Sequence, residues 1–337
     1  MKYEEIILNE SRDVKLTVCL RTENEGASLK RRPAILILPG GGYTFLSEGE
    51  AEVVATPYLE AGYQAFVLRY SVGQHQTWPN PLEDYDQAME FIKSNSEKWQ
   101  IQTDKIAVLG FSAGGHLAGC AATMAKHRPN AAILGYAALN QTTANICQPV
   151  IPAPVDFVDE KTCPCFLFSA RDDLMVPIEN TLAFENALVD NGIMFETHIY
   201  AYGGHGFSIG EDASEICSRV PNWLKDSIGW LEDMFGVMQD DGFSEPACPP
   251  KMNGDADDVL SVDCTIGHLR NQSDRIEELL KEAFLKVDEI VATRGGIDID
   301  MKDIVTRLQL KDLLRLMEKS DETVKQIDEE LRKITKI

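Results

Sequence analysis

The stretch KIAVLGFSAGGHLAGCAATMAKH, residues 105–127, joins an apolar run to a helical pattern across a tight turn. The run before the turn has the length and composition of a buried strand, and small and apolar residues at helical spacing follow it. The turn is Gly110-Phe111-Ser112-Ala113-Gly114, a match to G-x-S-x-G. The glycines are needed because a side chain two residues either side of the serine would collide with its neighbours. This pattern predicts that Ser112 is exposed at the carboxyl end of a strand.

The same alternation of strand and helix extends over residues 34–235. Apolar runs typical of strands are AILIL (34–38), QAFVLRY (64–70), AAILGYA (131–137), CFLFSA (165–170) and ETHIYAY (196–202). Helical spacing is also found in residues 81–99, 178–191 and 221–235. Two earlier runs, YEEIIL and VKLTVCL, predict an antiparallel edge. The fold class predicted is α/β, with a mostly parallel mixed sheet covered by helices on both faces.

The chain changes character after residue 240. Residues 241–262 are rich in Pro, Gly and Asp, a composition that favours turns and extended chain and predicts a linker. Amphipathic helical patterns follow at 276–291, 304–317 and 324–334. We therefore expect a catalytic domain over 1–240, a linker over 241–262 and a helical domain over 263–337. Three short helices bury little surface alone, so their apolar faces must pack either on the catalytic domain or on a second copy of the chain. We favour self-association, because the charged faces beside the apolar stripes resemble those of helices that associate with partners. The alternative is a self-contained bundle tethered to a monomer.

Charge and composition exclude several classes of partner. The formal net charge of −22 repels nucleic acid and anionic membranes, so neither is an expected partner. The first 20 residues lack the apolar core of a signal peptide, and no stretch is long and apolar enough for a membrane span, which predicts a cytoplasmic protein. The 8 cysteines match neither a zinc site nor a redox pair. No metal and no organic cofactor are expected.

A serine nucleophile needs a histidine base and an acid that fixes the tautomer of the histidine. In proteins whose serine nucleophile lies in a G-x-S-x-G turn between a strand and a helix, the acid follows the serine along the chain and the histidine comes last. Asp172 and Asp173 follow the run CFLFSA, and His205 lies among glycines just after ETHIYAY. Only one of the two acids can reach His205, and we favour Asp173, with Asp172 capping the loop or the next helix. His116, four residues after Ser112 on the same helix, is predicted to be structural.

Acyl transfer also needs amide donors for the negative oxygen of the tetrahedral intermediate. Pro39-Gly40-Gly41-Gly42-Tyr43 follows AILIL, where glycines expose backbone amides. We predict an oxyanion hole formed by the amides of Gly40, Gly41 and Ala113. The alternative, a phosphate-binding loop, is disfavoured because neither Lys-Ser/Thr nor G-x-G-x-x-G spacing is present.

The motifs PGGGY (39–43), GYQAFVLRYSV (62–72), GFSAGGHLA (110–118), ARDDLMVP (170–177) and GGHGF (203–207) occur in this order. As a set they resemble the acetylxylan-esterase-like branch of the α/β-hydrolase superfamily, which is similar to hormone-sensitive-lipase-type esterases. The resemblance covers about residues 1–235. It implies removal of acetyl groups from plant-polysaccharide sugars, and the family's usual triad acid matches Asp173. Pro39 stands where the lipase-type relatives have His, which argues against a lipase-like substrate.

These observations predict a serine carboxylesterase that cleaves short-chain, acetyl-type esters of small plant-derived sugars. The segment 140–164, which would supply any lid, is short and proline-rich, so a compact pocket is expected rather than a broad cap for long acyl chains. Two alternatives remain open. One is a serine peptidase of the prolyl-oligopeptidase type, and the other is a non-catalytic binding protein on a hydrolase scaffold.

Overall fold

The computed structural model describes residues 2–21, 31–147, 151–210, 216–239, 242–272, 274–293 and 305–336. The chain forms two compact units, Met1–Pro250 and Lys251–Ile337. Among the helices in these described ranges, none is both long and apolar enough to cross a membrane.

The first unit is built on an eight-stranded sheet in the order β1-β2-β4-β3-β5-β6-β7-β8. The strands β1 and β2 pair antiparallel, β2 pairs antiparallel with β4, and the strands from β4 onward in this order are parallel. The predicted mostly parallel mixed sheet is therefore confirmed. The strands are β1 Lys2–Asn9, β2 Val14–Leu20, β3 Arg32–Leu38, β4 Gln64–Arg69, β5 Ile101–Phe111, β6 Ala131–Gly135, β7 Cys165–Ala170 and β8 Phe195–Tyr200.

Helices cover both faces of this sheet. They are α1 Glu52–Glu60, α2 Asn80–Ser94, α3 Ser96–Trp99, α4 Ser112–Met124, α5 Gln141–Cys147, α6 Glu179–Asp190 and α7 Asn222–Phe235. The sequence pattern did not predict α1 or α5. In α1, the β-branched residues and the internal Pro57 lower helix propensity. Tertiary burial of Val54, Tyr58 and Leu59 stabilises this helix instead.

Two apolar cores lie on opposite faces of the sheet because successive strand residues point to opposite sides. In β3, Leu36 packs into one core and Ile35 and Ile37 pack into the other. Every residue of β3 and β6 is buried, as is typical of central parallel strands. The carboxyl ends of β3, β5, β6, β7 and β8 consequently share one edge of the sheet, and their following loops meet there.

The second unit has its own core, formed mainly by helices. These are α8 Ile266–Arg270, α9 Asp274–Leu279, α10 Lys281–Thr293, α11 Leu310–Leu316 and α12 Asp321–Leu331. The segments that precede α8 and α11 pair antiparallel through a bridge between Thr265 and Gln309. The amide of Ile266 donates to the carbonyl of Leu308 at 2.9 Å, and the amide of Leu310 donates to the carbonyl of Cys264 at 3.0 Å. The first residue of the predicted helical pattern 304–317 lies outside the described residues.

The segment predicted as a linker, 241–262, is divided between the two units. Residue 241 lies outside the described residues. Gly242–Phe243 (β10) pairs with Met238–Gln239 (β9), and the carbonyl of Pro250 accepts the amide of Met194 at 3.1 Å within the first unit. In the second unit, Leu260 is buried in the core. Backbone hydrogen bonds therefore attach the first half of the segment to the first unit, and a buried apolar side chain attaches the second half to the second unit.

Candidate active site

Ser112 stands between β5 and α4 with a left-handed backbone, at φ 53°. Such a conformation costs about 1–3 kcal/mol in a non-glycine residue and persists only where the surroundings enforce it. The surroundings here are close: a Cβ on Gly110 would lie 2.1 Å from the carbonyl oxygen of Gly114, and one on Gly114 would lie 2.1 Å from that of Leu38. The packing of strand, helix and β3 thus holds the serine at the carboxyl edge of the sheet.

The structure brings Ser112, His205 and Asp173 into one hydrogen-bonded chain. His205 Nε2 lies 2.8 Å from Ser112 Oγ, and His205 Nδ1 lies 2.7 Å from Asp173 Oδ2. The other carboxylate oxygen of Asp173, which is buried, accepts the amides of Met175 and Val176 at 2.8 and 2.9 Å. Because the carboxylate only accepts, Nδ1 carries the imidazole proton and Nε2 is free to accept the proton of the serine. This arrangement can generate a serine nucleophile.

The neighbouring acid, Asp172, points to a different group. Its Oδ1 accepts the amides of Gly203 and Gly204, both at 2.9 Å. These glycines begin the histidine loop, residues 203–208, while Asp172 and Asp173 lie in the acid loop, residues 171–177. The two adjacent acids therefore have separate roles, since one contacts the backbone of the histidine loop and the other contacts the imidazole.

Residues 39–47 follow β3, and we call them the oxyanion loop after the role predicted for their amides. Gly41 and Gly42 line a cavity together with Ser112 and His205. Ala113 supplies a further amide in the first turn of α4. Within the described ranges, no acceptor is found for the amides of these three residues.

The structure contradicts the prediction for the third donor, Gly40. Its amide donates to Glu50 Oε2 at 2.8 Å, and one N–H cannot also point at a substrate oxygen. Gly42, the third glycine of the motif, lines the cavity but was not among the predicted donors, because the motif does not reveal which of three successive amides already has an acceptor within the protein.

The cavity beside Ser112 has a volume of about 480 Å³. Its lining is mixed and includes the apolar residues Phe45, Met175 and Val176 and the hydroxyl-bearing residues Thr44, Ser47 and Thr143. Glu50 also lines it but is only 4% exposed. Burial raises the pKa of Glu50, while hydrogen bonds from Tyr136 and Gly40 and the nearby His205 oppose that rise. No sequence signal distinguished Glu50 from its acidic neighbours.

His116 does not reach this cavity. It is fully buried, with Nδ1 2.7 Å from the hydroxyl of Tyr43 and Nε2 2.8 Å from the carbonyl of Pro152. Burial lowers the pKa of His116 to about 4, so it is neutral at pH 7. A structural role accounts for these contacts. In the part of the chain that is described, no group of three or more His, Cys, Asp and Glu side chains could hold a metal ion.

Comparison with solved structures identifies the family. MGS-M1, an α/β-hydrolase enzyme from a Medee basin deep-sea metagenome library, is 40% identical, with a TM-score of 0.65 over 69% of this chain and 98% of that one. The chain belongs to the α/β-hydrolase family. A second structural neighbour, the acetyl ester-xyloside bifunctional hydrolase of Caldicellulosiruptor lactoaceticus, is 30% identical, with a TM-score of 0.62 over 68% of this chain and 96% of that one. The predicted family resemblance is confirmed.

Two family models match adjacent parts of this α/β-hydrolase. The BD-FAE model matches residues 24–151, and the prolyl oligopeptidase family model matches residues 152–230. Together they span the part of the sheet from β3 to β8. The acetylxylan esterase of Xylanibacter ruminicola is 28% identical over 256 residues, which are 68% of this chain and 52% of that protein. The chain spans about half or less of the length of the first curated relatives it matches.

Proposed function

We propose that this α/β-hydrolase is a serine carboxylesterase that hydrolyses short-chain esters, in particular acetyl esters of small plant-derived sugars. One observation carries the proposal: Ser112 Oγ, His205 and Asp173 form a continuous hydrogen-bonded chain, with contacts of 2.8 and 2.7 Å, and Ser112 opens into a cavity of about 480 Å³. Gly41 and Gly42 line the same cavity, and their amides and that of Ala113, the residue after the serine, are the candidate oxyanion donors.

In the first half-reaction, His205 Nε2 takes the proton of Ser112 as Oγ bonds to the ester carbonyl carbon. The carbonyl electron pair moves to oxygen, and the amides of Ala113 and the oxyanion loop stabilise the resulting charge. When the C–O bond to the alcohol breaks, the proton on His205 passes to the leaving oxygen. Asp173 stays ionised throughout and holds the imidazolium. The products of this half are an acyl-enzyme and a free alcohol.

In the second half-reaction, water enters the position of the alcohol. His205 takes one of its protons while the oxygen bonds to the acyl carbon, and the same amides stabilise the second tetrahedral intermediate. Collapse breaks the bond to Ser112 Oγ, which recovers the proton from His205 and releases the carboxylic acid. These steps use only groups of the protein and water.

The size and wall of the cavity support a small substrate. A volume of about 480 Å³ lies in the lower part of the range for small-molecule sites. An acetyl group fits beside the apolar side chains, and the hydroxyls of Thr44, Ser47 and Thr143 can contact the hydroxyls of a sugar. The names of the relatives point the same way, since they include an acetylxylan esterase and an acetyl ester-xyloside hydrolase. The cytoplasmic location expected from the sequence stays a prediction.

The test is a hydrolysis panel with the full chain. We expect turnover of 4-nitrophenyl acetate and of acetylated xylo-oligosaccharides, with a fall in kcat/KM as the acyl chain lengthens. Ser112→Ala should lower kcat by about 10⁶-fold, the scale seen when a triad nucleophile is removed. Ser94→Ala, an exposed serine at the end of α2, is the matched control and should retain full activity. If Ser112→Ala kept a tenth of the wild-type rate, a serine mechanism would be untenable.

The match of residues 152–230 to the prolyl oligopeptidase family favours a second candidate, a serine peptidase. The same triad and oxyanion donors cleave amides. The two candidates separate on paired substrates with the same acyl group, a 4-nitrophenyl ester and a 4-nitroanilide. We expect hydrolysis of the ester only. Turnover of prolyl anilides would favour the peptidase, and binding of acetylated sugars without turnover would favour a non-catalytic binding protein.

For the second unit we propose self-association. Its described helices carry exposed apolar side chains beside charged ones, including Leu285 at 60% and Leu316 at 70% exposure. Such mixed faces are typical of helices that pair with partners. The partner proposed is another copy of the same chain.

A further inference from the structure

One buried carboxylate beside the site has no step in the proposed mechanism. Glu50 ends a short 3-10 helix, Glu48–Glu50, that follows the oxyanion loop, and it is 4% exposed. Its Oε2 accepts the amide of Gly40 at 2.8 Å, and its Oε1 accepts the hydroxyl of Tyr136 at 2.6 Å. Both carboxylate oxygens therefore hold a donor, and neither donates or accepts at Ser112 or His205.

Tyr136 continues this connection to the histidine loop. Its hydroxyl oxygen accepts the amide of Ser208 at 3.0 Å, and its ring packs edge-on against His205 with centroids 5.1 Å apart. The hydroxyl of Ser208 returns to the other side, donating to the carbonyl of Gly49 at 2.5 Å. A closed set of contacts thus joins the oxyanion loop to the histidine loop by way of Glu50 and Tyr136.

Two residues of this set have strained backbones. Tyr136 has φ 33° and Ser208 has φ 41°, both in the left-handed region that non-glycine residues rarely adopt. Strain of this kind persists only where several contacts enforce it, and it is concentrated at functional sites. The hydrogen bonds of both residues to their partners supply that enforcement.

We infer that Glu50 and Tyr136 are positioning residues that fix the amides of the oxyanion loop relative to His205. This inference rests on the proposed esterase function. By holding the amide of Gly40 on its own carboxylate, Glu50 sets the peptide planes that follow, so that Gly41 and Gly42 present their amides to the substrate oxygen. Tyr136 links that setting to the loop that carries the base.

A structural role alone accounts poorly for a carboxylate at this place. Burial of a carboxylate is costly even when it is paired, and apolar side chains of similar volume are often as stabilising or more so. What an apolar residue could not do is accept two donors at once and so orient two loops. The cost is consistent with a requirement for geometry rather than for stability.

The expected signature lies in kcat rather than KM. The oxyanion donors bind the charged oxygen of the tetrahedral state far better than the ester carbonyl, so displacing them weakens only the transition state. Removing one such donor outright costs about 10²–10³-fold, and a displaced loop should cost less. We expect about a 10–100-fold loss in kcat with KM changed by less than about threefold.

The experiment compares full-length Glu50→Gln and Tyr136→Phe with Glu48→Gln. Gly40 and Tyr136 donate to different oxygens of Glu50, and Gln has the shape of Glu but carries an NH2 donor in place of one of them, so one of the two donors loses its acceptor. Phe keeps the ring and removes the hydroxyl. Glu48 is an exposed neighbour that contacts Arg69, so its change to Gln is the matched control and should be silent. Rates are divided by the number of sites titrated with a fluorophosphonate, which removes any contribution from unfolded protein.

Three results together support the inference. Both single variants should have a lower kcat at constant KM, and the double variant should have the same kcat as the less active of the two single variants. Deuterium uptake should be faster in residues 39–47. The non-additivity is expected because both changes break one connection. Per-site kcat within twofold of wild type in both variants would overturn the inference, whatever the uptake. If the wild-type chain hydrolysed no ester, the proposed function would fail by itself. The uptake comparison would then decide on the connection: unchanged uptake would overturn it and faster uptake would support it.

Discussion

The acid loop and the oxyanion loop both follow parallel strands, and a buried carboxylate accepts backbone amides of each loop. These two carboxylates, Asp173 and Glu50, contact different groups with their remaining oxygen. Asp173 accepts two amides from its own loop, 2 and 3 residues away, and turns its other oxygen to His205. Glu50 accepts donors from positions 10 and 86 residues away and has no oxygen left for the imidazole. Burial and hydrogen bonding alone therefore do not identify a triad acid; the group that it faces does.

The strongest test of this comparison is Asp173→Asn. The amide retains the shape of the carboxylate but loses its charge, and it favours the wrong tautomer of His205. We expect kcat to fall by about 10⁴-fold, as measured with 4-nitrophenyl acetate on protein whose folding is checked by circular dichroism. A loss below tenfold would mean that another group holds the imidazole.

Gly41→Ala tests the oxyanion loop without touching the triad. Gly41 has φ 129°, and a Cβ there would lie 2.1 Å from the carbonyl oxygen of Phe45, so the loop must move. We expect kcat to fall by about 10²–10³-fold, the cost of losing an oxyanion donor. Gly229→Ala in α7 is the control, because a Cβ there meets no atom within 4 Å. Equal activity of the two variants would remove this loop from the catalytic site.

The burial of His116 predicts how the stability of the fold depends on pH. Between pH 6.5 and about 4 the unfolded chain protonates His116 while the folded chain keeps it neutral. The unfolded state binds more protons there, so stability falls as pH falls through this window, by on the order of 3 kcal/mol in full. Urea unfolding at pH 7 and pH 5 should show a steeper loss in wild type than in His116→Gln. Equal pH slopes would contradict a neutral, buried His116.

Asp172→Asn should have a smaller effect than Asp173→Asn. The side-chain oxygen of Asn can still accept the amides of Gly203 and Gly204, so the histidine loop keeps its anchor with weaker, uncharged hydrogen bonds. We expect a loss in kcat of about tenfold or less by the same assay. If Asp172→Asn cost more than Asp173→Asn, the roles of the two acids would be reversed.

The smallest effect is expected from ending the chain at Pro250. Every residue of the proposed triad, the oxyanion loop and the Glu50–Tyr136 connection lies in the first unit. Solved relatives of which 96–98% is covered match only 68–69% of this chain, which indicates that such a unit folds alone. We expect kcat/KM within about twofold of the full chain, a change of less than about 0.5 kcal/mol in activation free energy. Light scattering should show a smaller assembly, and an unchanged oligomeric state would refute self-association through the second unit.

Much of the fold could be predicted from the sequence because the central strands are continuous apolar runs. The three residues of the hydrogen-bonded chain could be found as well, since each lies in a short motif next to a strand end. The helix α1 could not, because its Pro57 and β-branched residues contradict local propensity and its stability depends on packing against the sheet. The helical conformation of α1 therefore depends on tertiary burial rather than on local propensity.

The sequence also could not predict the direction in which each backbone amide of the glycine motif points. Three consecutive glycines indicate exposed amides, but whether the amide of Gly40 is exposed or held inside the protein depends on where Glu50 places its carboxylate. That placement in turn depends on Tyr136, at the end of a different strand. A spacing rule within one motif cannot contain that information.

At Ser112 the residue that the backbone conformation favours differs from the residue that the proposed reaction needs. Glycine adopts φ 53° without strain, so a mutation to glycine at this position relieves backbone strain even as it removes the nucleophile. In a lineage released from selection for catalysis, the position would be free to drift toward the residue that the turn prefers. If the proposed reaction is the function of this chain, the strain at Ser112 would persist only under selection for that reaction.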